Sequence, residues 1–487
     1  MFKEKSALPA ISLFCICLII ICLFIIPLRI LAQGYLPIDD CLRHAAKVIS
    51  GNNWDKILVL SDKFKMDTHP GWHSILGFIH NLTNCNQLGL VVFSVVMLFL
   101  IASFIPLIFL ELPEIWLFTL LIISTLDASF IRRLLFGRPY LFTMSVLFCL
   151  CFLWPKLKEQ KLNYRVFFSL IALIALSIWI HGAWYLFILP IICFFLVGEY
   201  QVGLRLIYAT GIGIFLGATL SRHPFIFLWQ NINQAFLVFG KNIPKDYLAY
   251  EFQPIKIGIS KVLFILSILF LGYTRKAWNF KKIYNPVFLL AILGWFLGFI
   301  TRRFWWEWGA PALCVWMAQE FQIIFKKIFG RFSLSQFALS RLIITLTLAI
   351  VIYFNFTSNL GYHWIDKITI SYSDFNKTEY RKLLPEPGGI IYSDGMTVFY
   401  ETFFRYPHAQ WRYMVGFEPA WMPARDLKIF RDIQKSHSAS AYIPWIKKMK
   451  KEDRLIITRD TDKPPEAPGL EWHYIPQIIW IGKLSRK

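Results

Sequence analysis

The sequence has few charged residues for its length, and acidic residues are the scarcer kind. Only 17% of its 487 residues are charged, and 30 Asp and Glu stand against 51 Lys and Arg, which gives a formal net charge of +21. Hydrophobic residues make up 56% of the chain, including 46 Phe and 19 Trp. This composition excludes a disordered chain, and apolar runs of about 20 residues exclude most water-soluble classes. The positive charge therefore indicates loop orientation in a membrane better than nucleic-acid binding.

The sequence also lacks the common signatures of nucleotide-driven and hydrolytic enzymes. It contains no Walker A lysine motif, no HExxH and no GxSxG, which removes the usual evidence for ATP-driven transport, zincin proteolysis and serine hydrolysis. Gly211, Gly213 and Gly217 have the spacing of a nucleotide-binding loop, but they lie in an apolar segment. Small residues in such a segment are typical of close helix packing.

Apolar segments of membrane-spanning length predict eleven transmembrane helices. The predicted spans are residues 7–31, 88–110, 115–131, 139–155, 166–181, 184–198, 204–220, 257–273, 286–301, 304–321 and 337–356. The first span is longer than the apolar region of a secretory signal, about 7 to 15 residues, and lacks a small-residue cleavage site, so we expect it to be retained. Lys and Arg are about twice as dense in the loops assigned to the cytoplasm, which places the N-terminus inside and the C-terminus outside.

Two predicted outer regions are too long to be simple connections. One is the first outer loop, residues 32–87, within a transmembrane domain of residues 1–356, and the other is the tail, residues 357–487. In the tail, residues 389–394, 454–458 and 474–481 have the pattern of strands, and residues 426–435 have that of a helix. The predicted fold is an α-helical polytopic membrane protein with a large first periplasmic loop and a small C-terminal α/β domain on the same side.

All ten histidines fall on the predicted outer side, which favours an active site facing outward because histidine titrates near neutral pH and binds metals. The alternative is that the outer loops are simply longer and hold most of the polar residues. The histidines are His44, His69, His73, His80, His181, His223, His363, His408, His437 and His473.

The sharpest local feature is the acidic pair Asp39-Asp40 directly after the first span. Read as a helix, the segment places Asp40, Arg43, His44 and Lys47 on one face and apolar residues on the other, which predicts a helix lying along the membrane surface. Two adjacent carboxylates raise one another's pKa, as suits a general base. The alternative is an N-cap aspartate on an ordinary interfacial helix.

Later in the same loop, Asp67, His69 and His73 form a second polar group. Pro70 separates the two histidines, so we expect a turn leading into a helix. The group is a candidate site for a divalent ion, for a phosphate or for polar contacts to a bound sugar, and its spacing matches no established metal motif. Cys41 and Cys85 share this loop and are either disulfide-bonded or free.

Arginine is concentrated at the predicted outer ends of the spans. A guanidinium offers a planar fork that matches phosphate oxygens, so these residues favour a phosphorylated ligand. The alternative for each of them is contact with lipid headgroups. The arginines are Arg132, Arg133, Arg138, Arg222, Arg302 and Arg303, and further candidates for substrate contacts are Arg43, His44, His181, His223 and Glu251.

A first span followed by a large outer loop that opens with an acidic pair resembles the GT-C superfamily of membrane glycosyltransferases, which includes protein O-mannosyltransferases and lipid A aminoarabinose transferases. The number of spans, the arginines near span four and the extracytoplasmic tail extend the resemblance in architecture to the whole chain, while in residues it is confined to short motifs. It implies a multi-pass protein of the inner membrane that acts on the periplasmic side.

The resemblance implies transfer of a sugar from a polyprenyl-phosphate donor to a hydroxyl of a glycan, lipid or protein acceptor, with inversion at the anomeric carbon. By that likeness Asp39 or Asp40 takes the proton of the acceptor, and Arg132, Arg133 or Arg138, with Arg302 or Arg303, binds the donor phosphate. A divalent metal ion is an optional cofactor. Two rival hypotheses are a transporter or flippase for a lipid-linked glycan and a non-catalytic envelope assembly protein.

Overall fold

The computed structural model describes residues 2–37, 40–239, 250–255, 284–329, 334–358, 381–436, 438–458, 466–475 and 479–485, together with residues 360 and 463. The chain divides into two compact units. The helical unit comprises Met1–Gln33, Ser94–Pro224 and Leu248–His363, and the mixed unit comprises Gly34–Phe93, Phe225–Tyr247 and Trp364–Lys487. Most of the first outer loop and most of the tail therefore belong to one unit.

Six helices in the described part of the chain are long and apolar enough to cross a membrane, so the chain is a multi-pass membrane protein. Three predicted spans are shorter apolar helices, and the predicted span at 257–273 lies outside the described residues, so the total of eleven stays a prediction. The six are Ile11–Ala32, Gln87–Phe109, Tyr140–Leu157, Tyr164–His181, Tyr200–Thr219 and Gln336–Thr357, and the shorter three are Glu114–Leu126, Trp184–Leu196 and Pro286–Gly298.

Two segments that the sequence pattern predicts as single spans are interrupted. The segment 115–131 divides at Asp127 into Glu114–Leu126 and Ala128–Leu134, and 304–321 contains a π-helical turn, Trp305–Gly309. The longer helices are Phe2–Ala32, Asp40–Ser50, Pro70–Thr83, Gln87–Phe109, Glu114–Leu126, Ala128–Leu134, Tyr140–Leu157, Tyr164–His181, Ile188–Leu196, Tyr200–Thr219, Pro224–Phe239, Pro286–Gly298, Ala310–Phe329, Leu334–Thr357, Met396–Arg405 and Ala424–Ser436.

Glycines allow close packing between two of the spans, Tyr164–His181 and Tyr200–Thr219. A Cβ at Gly217 would lie 2.3 Å from the carbonyl oxygen of Ala175, and a Cβ at Gly213 would lie 2.8 Å from Cγ2 of Ile174. The expectation that glycines serve helix packing is confirmed for Gly213 and Gly217, whereas a Cβ at Gly211 would meet nothing within 4 Å.

A buried ion pair ties three helices of the helical unit together. Arg341 donates to both carboxylate oxygens of Glu114, from Nε to Oε1 at 2.6 Å and from Nη2 to Oε2 at 3.0 Å, and its Nη1 donates to Ser12 at 2.8 Å. Both charged side chains are almost fully buried. A bidentate pair of this kind fixes the register of the helices because breaking it leaves a buried charge.

The mixed unit contains a five-stranded sheet of order β2-β1-β3-β5-β4. Strand β1 runs parallel to both β2 and β3, while β5 is antiparallel to β3 and β4. The expected strands at 389–394 and 454–458 are confirmed. The single strand predicted at 474–481 is wrong, because two antiparallel strands meet there. The strands are β1 Ile390–Ser393, β2 Arg412–Tyr413, β3 Arg454–Ile457, β4 Leu470–Ile475 and β5 Ile479–Leu484.

The first outer loop shares this unit's core. The backbone N–H of Val59 donates to the carbonyl of Tyr413 at 2.9 Å, so the loop extends the sheet beside β2. Trp54 from the loop packs with Phe417, with ring centroids 4.8 Å apart, in a cluster that also includes Phe399. Burial of these aromatic side chains binds the loop to the tail.

Candidate functional site

The first polar group is an arginine cluster in the helical unit, defined by Arg133, Arg138, Glu251, Arg303 and Glu307. Arg133 Nη2 and Arg303 Nε both donate to Glu307 Oε1, at 2.9 and 2.7 Å. Arg133 Nη1 donates to Glu251 Oε2 at 3.3 Å, and Arg138 Nη1 donates to the same oxygen. Arginines that the sequence predicts at two distant span ends thus converge on two carboxylates.

The members of the arginine cluster differ in exposure. The side chains of Arg133 and Glu307 are each 5% exposed, whereas those of Arg138, Glu251 and Arg303 are 16%, 17% and 24% exposed. Arg133 uses both terminal nitrogens for carboxylates, so it holds the two glutamates together. Arg138 and Arg303 are the members that a ligand can reach. Among the five described side chains of this cluster, three cations and two anions leave one excess positive charge, which favours an anionic ligand.

The π-helical turn places Glu307 in the cluster, and glycines make that turn possible. A Cβ at Gly294 would lie 2.5 Å from Cα of Gly309, so the Pro286–Gly298 helix approaches the turn at backbone contact. The extra residue in a π-turn rotates the side chains that follow it, and such turns are frequent at functional sites. The apolar pattern of the segment contains no signal for this insertion.

Asp127 fixes the helix that carries Arg133. Its Oδ1 accepts the backbone N–H groups of Ser129 and Phe130, which caps the Ala128–Leu134 helix. Its Oδ2 accepts the indole N–H groups of Trp305 and Trp306, at 3.0 and 3.1 Å. One carboxylate therefore connects the arginine helix to the π-turn. Asp127 was not among the predicted site residues, although an aspartate that interrupts an apolar run is a helix-start signal.

The other arginines predicted to bind phosphate have structural partners. Arg132 Nη2 donates to Ser129 Oγ at 3.1 Å. Arg302 is buried, and its Nη2 donates to the carbonyl of Pro254 at 3.0 Å, while Thr301 Oγ1 donates to the carbonyl of Glu251 at 3.1 Å. Arg302 and Thr301 therefore hold the short segment that presents Glu251.

His181 belongs with the arginine cluster, whereas Arg222 and His223 do not. Arg303 Nη2 donates to His181 Nε2 at 3.3 Å, and His181 Nδ1 lies 3.1 Å from Thr143 Oγ1. Arg222 and His223 are exposed, and Arg222 has a left-handed backbone with φ of 69°. Among the described residues, neither makes a hydrogen bond or an ion pair with the cluster.

The second polar group lies in the mixed unit and begins at Asp40; the other member of the acidic pair, Asp39, lies outside the described residues. Asp40 Oδ1 accepts Arg43 Nε at 2.6 Å and the hydroxyl of Tyr400 at 3.2 Å. The predicted helix is confirmed as Asp40–Ser50, while its position at the membrane surface stays a prediction. Arg43 is 2% exposed and His44 is 0% exposed, because the polar face packs inside the unit.

The histidine cluster, defined by His44, His69, His73 and Asp67, completes this second group. His73 Nδ1 donates to Asp67 Oδ2, and His73 Nε2 lies 2.7 Å from His44 Nδ1. The ring centroid of His44 is 5.0 Å from that of His69. The expected turn into a helix is confirmed, because Pro70–Thr83 is helical.

The ionisation of the histidine cluster follows from its burial. Burial lowers the pKa of His69 to about 3 and also lowers the pKa of His73, so both rings are neutral at pH 7. Burial raises the pKa of Asp67, but its interactions with His73 and with the backbone N–H of His69 outweigh that effect and hold the pKa below its usual range. Neutral His73 donates to Asp67, so its Nε2 accepts and His44 Nδ1–H donates.

No metal-ligand set is found in the part of the chain that the structure describes. No three His, Cys, Asp or Glu side chains are arranged there to hold a metal ion. The predicted divalent-ion site at Asp67, His69 and His73 is therefore not found; these side chains bond to one another and to their neighbours. Among the described cysteines, Cys41 and Cys85 do not form a disulfide bond.

Gln230, which was not among the predicted site residues, binds the backbone of the loop before Asp67. Gln230 Oε1 accepts the backbone N–H groups of Lys65 and Met66, at 2.7 and 3.1 Å, and its Nε2 donates to the carbonyl of Met66 at 2.7 Å. Gln230 is 4% exposed. Its amide pairs with the loop as a neighbouring strand would, and no spacing in the sequence signals this contact.

Comparison with models of known protein families finds no match, and comparison with curated proteins finds none.

Proposed function

We propose that this chain is a membrane glycosyltransferase of the GT-C type, which moves a sugar from a polyprenyl-phosphate donor to an acceptor hydroxyl. The observation that carries the proposal is the convergence of Arg133, Arg138 and Arg303 in one cluster with an excess positive charge. Two of these arginines are partly exposed, so a phosphate can approach their guanidinium groups.

The chemistry of the transfer matches such a cluster. The acceptor hydroxyl gives its proton to a base, its oxygen forms a bond to the anomeric carbon, and the bond from that carbon to the phosphate oxygen breaks. The electron pair leaves with the polyprenyl phosphate, on which negative charge develops. Guanidinium groups already oriented by Glu251 and Glu307 stabilise that charge without reorganising.

The base is assigned by the resemblance alone, to Asp39 or Asp40. Arg43 and Tyr400 orient the Asp40 carboxylate, and the other predicted substrate contacts of this unit are His44, Asp67, His69 and His73. We expect Asp40→Asn and Asp39→Asn together to abolish transfer and to leave the protein folded. Full transfer by the double variant would remove both residues from the mechanism.

The proposed location is the inner membrane, with the arginine cluster facing the periplasm. The support is the higher density of Lys and Arg in the loops that the topology assigns to the cytoplasm. The acceptor is a glycan, a lipid or a protein that carries a free hydroxyl.

The test uses purified protein in lipid nanodiscs and a panel of polyprenyl-phosphate sugars carrying a labelled lipid. Formation of free polyprenyl phosphate is measured with membrane extract as the acceptor source. Arg138→Gln and Arg303→Gln should each lower the rate about 10² to 10³-fold, as is typical for the loss of one preorganised donor. Lys158→Gln is the matched control, because Lys158 forms an exposed pair with Glu199 in the same unit.

Equal rates for all these variants would contradict the proposal. So would a folded wild-type protein that leaves the sugar–phosphate bond of every donor intact. Movement of the intact lipid-linked sugar across a vesicle would then favour the transporter, and a partner lost on deletion of residues 357–487 would favour the assembly protein.

A further inference from the structure

Arg303 is held at two points of its guanidinium group. Nε donates to Glu307 Oε1 at 2.7 Å, and Nη2 donates to His181 Nε2 at 3.3 Å. The ring of Phe252 lies 5.7 Å from Cζ of Arg303. Two anchors on a planar group fix its plane. Among the described residues Nη1 has no acceptor, so its N–H groups can donate to a ligand.

The contact with Arg303 determines the state of His181. A guanidinium only donates hydrogen bonds, so the Nε2 atom of His181 must carry a lone pair. The proton of the neutral ring is then on Nδ1, which lies 3.1 Å from Thr143 Oγ1. Thr143 Oγ1 is in turn 2.8 Å from Ser177 Oγ, one turn before His181 on the same helix. Thr143 can therefore accept the proton of Nδ1 and donate its own to Ser177, which is compatible with the tautomer that Arg303 requires.

We infer that His181 is a positioning residue for Arg303, and that it fills this role as the Nδ1–H tautomer, whose proton Thr143 accepts. His181 was predicted from the sequence to contact the substrate. The geometry gives it a different task, because its accepting nitrogen is already bound to an arginine. The inference rests on the proposed function only in its consequence for catalysis: Arg303 would meet the leaving phosphate with its Nη1 edge.

The ring tautomer can be measured without a substrate. In protein labelled with ¹⁵N-histidine, one ring should show a protonated Nδ1 and an unprotonated Nε2, and this pair of signals should be missing from His181→Gln. Thr143→Val should shift the same ring toward a mixture of tautomers. If the signals lost in His181→Gln belong to an Nε2–H ring, the inference is wrong whether or not the protein is a glycosyltransferase.

The positioning role is tested by exchanging the acceptor at constant size. His181→Gln keeps an acceptor and should retain kcat within about threefold, while His181→Met fills similar space without a strong acceptor and should lose about tenfold or more in kcat. His181→Met should add little in the background of Arg303→Gln, because coupled residues are not additive. His408→Gln, at an exposed histidine, is the control.

The outcomes distinguish a failure of the positioning role of His181 from a failure of the proposed glycosyltransferase function. A kcat loss in His181→Gln as large as that in His181→Met, or additive losses in the double variant, would overturn the positioning role. A wild-type protein that releases no polyprenyl phosphate would overturn the proposed function, and the tautomer would then decide the inference alone.

Discussion

Glu251 is the residue whose replacement most sharply separates a phosphate site from a structural ion network. Its Oε2 accepts from Arg133 and Arg138, so it occupies donors that a phosphate would use. Glu251→Gln removes one negative charge and changes the sum over the arginine cluster from +1 to +2. The amide oxygen still accepts a hydrogen bond, so the packing is conserved.

The size of the effect follows from the charge that is removed. At an effective dielectric constant of about 20, a carboxylate roughly 6 Å from a phosphate repels it by about 3 kcal/mol. Solvent reaches Glu251, whose side chain is 17% exposed, so we expect about half of this value. A gain of about 1.4 kcal/mol corresponds to about tenfold tighter binding of polyprenyl phosphate.

The assay is a titration of polyprenyl phosphate into nanodisc-embedded protein, with a thermal melt to show that each variant is folded. Glu199→Gln is the matched control, because it removes the same charge from an exposed ion pair of the same unit and should leave Kd unchanged. If Glu251→Gln binds no more tightly than the wild type, Glu251 does not compete with a phosphate and the cluster is a structural network.

Two further predictions concern stability. Asp127→Ala should destabilise the helical unit by about 3 kcal/mol or more, because it removes a helix cap and leaves the indole N–H groups of Trp305 and Trp306 without their acceptor; a chemical-unfolding midpoint equal to that of the wild type would contradict this. His69 has its pKa lowered from 6.5 to about 3 by burial, so the unfolded chain binds its proton first as the pH falls. His69 should therefore cost the mixed unit up to about 1.4 kcal/mol per pH unit below about pH 6.5, and His69→Gln should remove this share while the share of His73 remains. Hydrogen exchange at pH 7 and pH 5 measures it, with His408→Gln as the control, and an unchanged pH dependence in His69→Gln would be the contrary result.

Hydrophobicity predicted much of the fold. Membrane spans are recognised by length and composition, and six of them are helices of full length. The interruption at Asp127 and the π-turn at Trp305–Gly309 were not predicted, since both segments are mostly apolar and polar contacts between distant residues decide the backbone there. Strands β4 and β5 were misjudged as one strand because the residues between them in the sequence, 476–478, include no glycine.

Many residues of the two candidate sites were predicted from the sequence, but their contacts with one another were not. Helical spacing correctly paired Asp40 with Arg43, yet it could not show that the polar face is buried, because burial depends on the tail that packs against it. Arg133 and Arg303 were predicted from their side-chain chemistry, while their common acceptor Glu307 was not. Gln230 was missed because its role depends only on tertiary structure.

The fate of the sugar–phosphate bond in wild-type protein tests directly whether the chain is a glycosyltransferase. Purified protein, a labelled polyprenyl-phosphate sugar and acceptor-containing extract are incubated together, and the lipid product and the anomeric configuration of the transferred sugar are determined. For an inverting transferase we expect one free polyprenyl phosphate for each sugar transferred, with the anomeric configuration inverted. An intact donor, or transfer with the configuration retained, would contradict the proposed function.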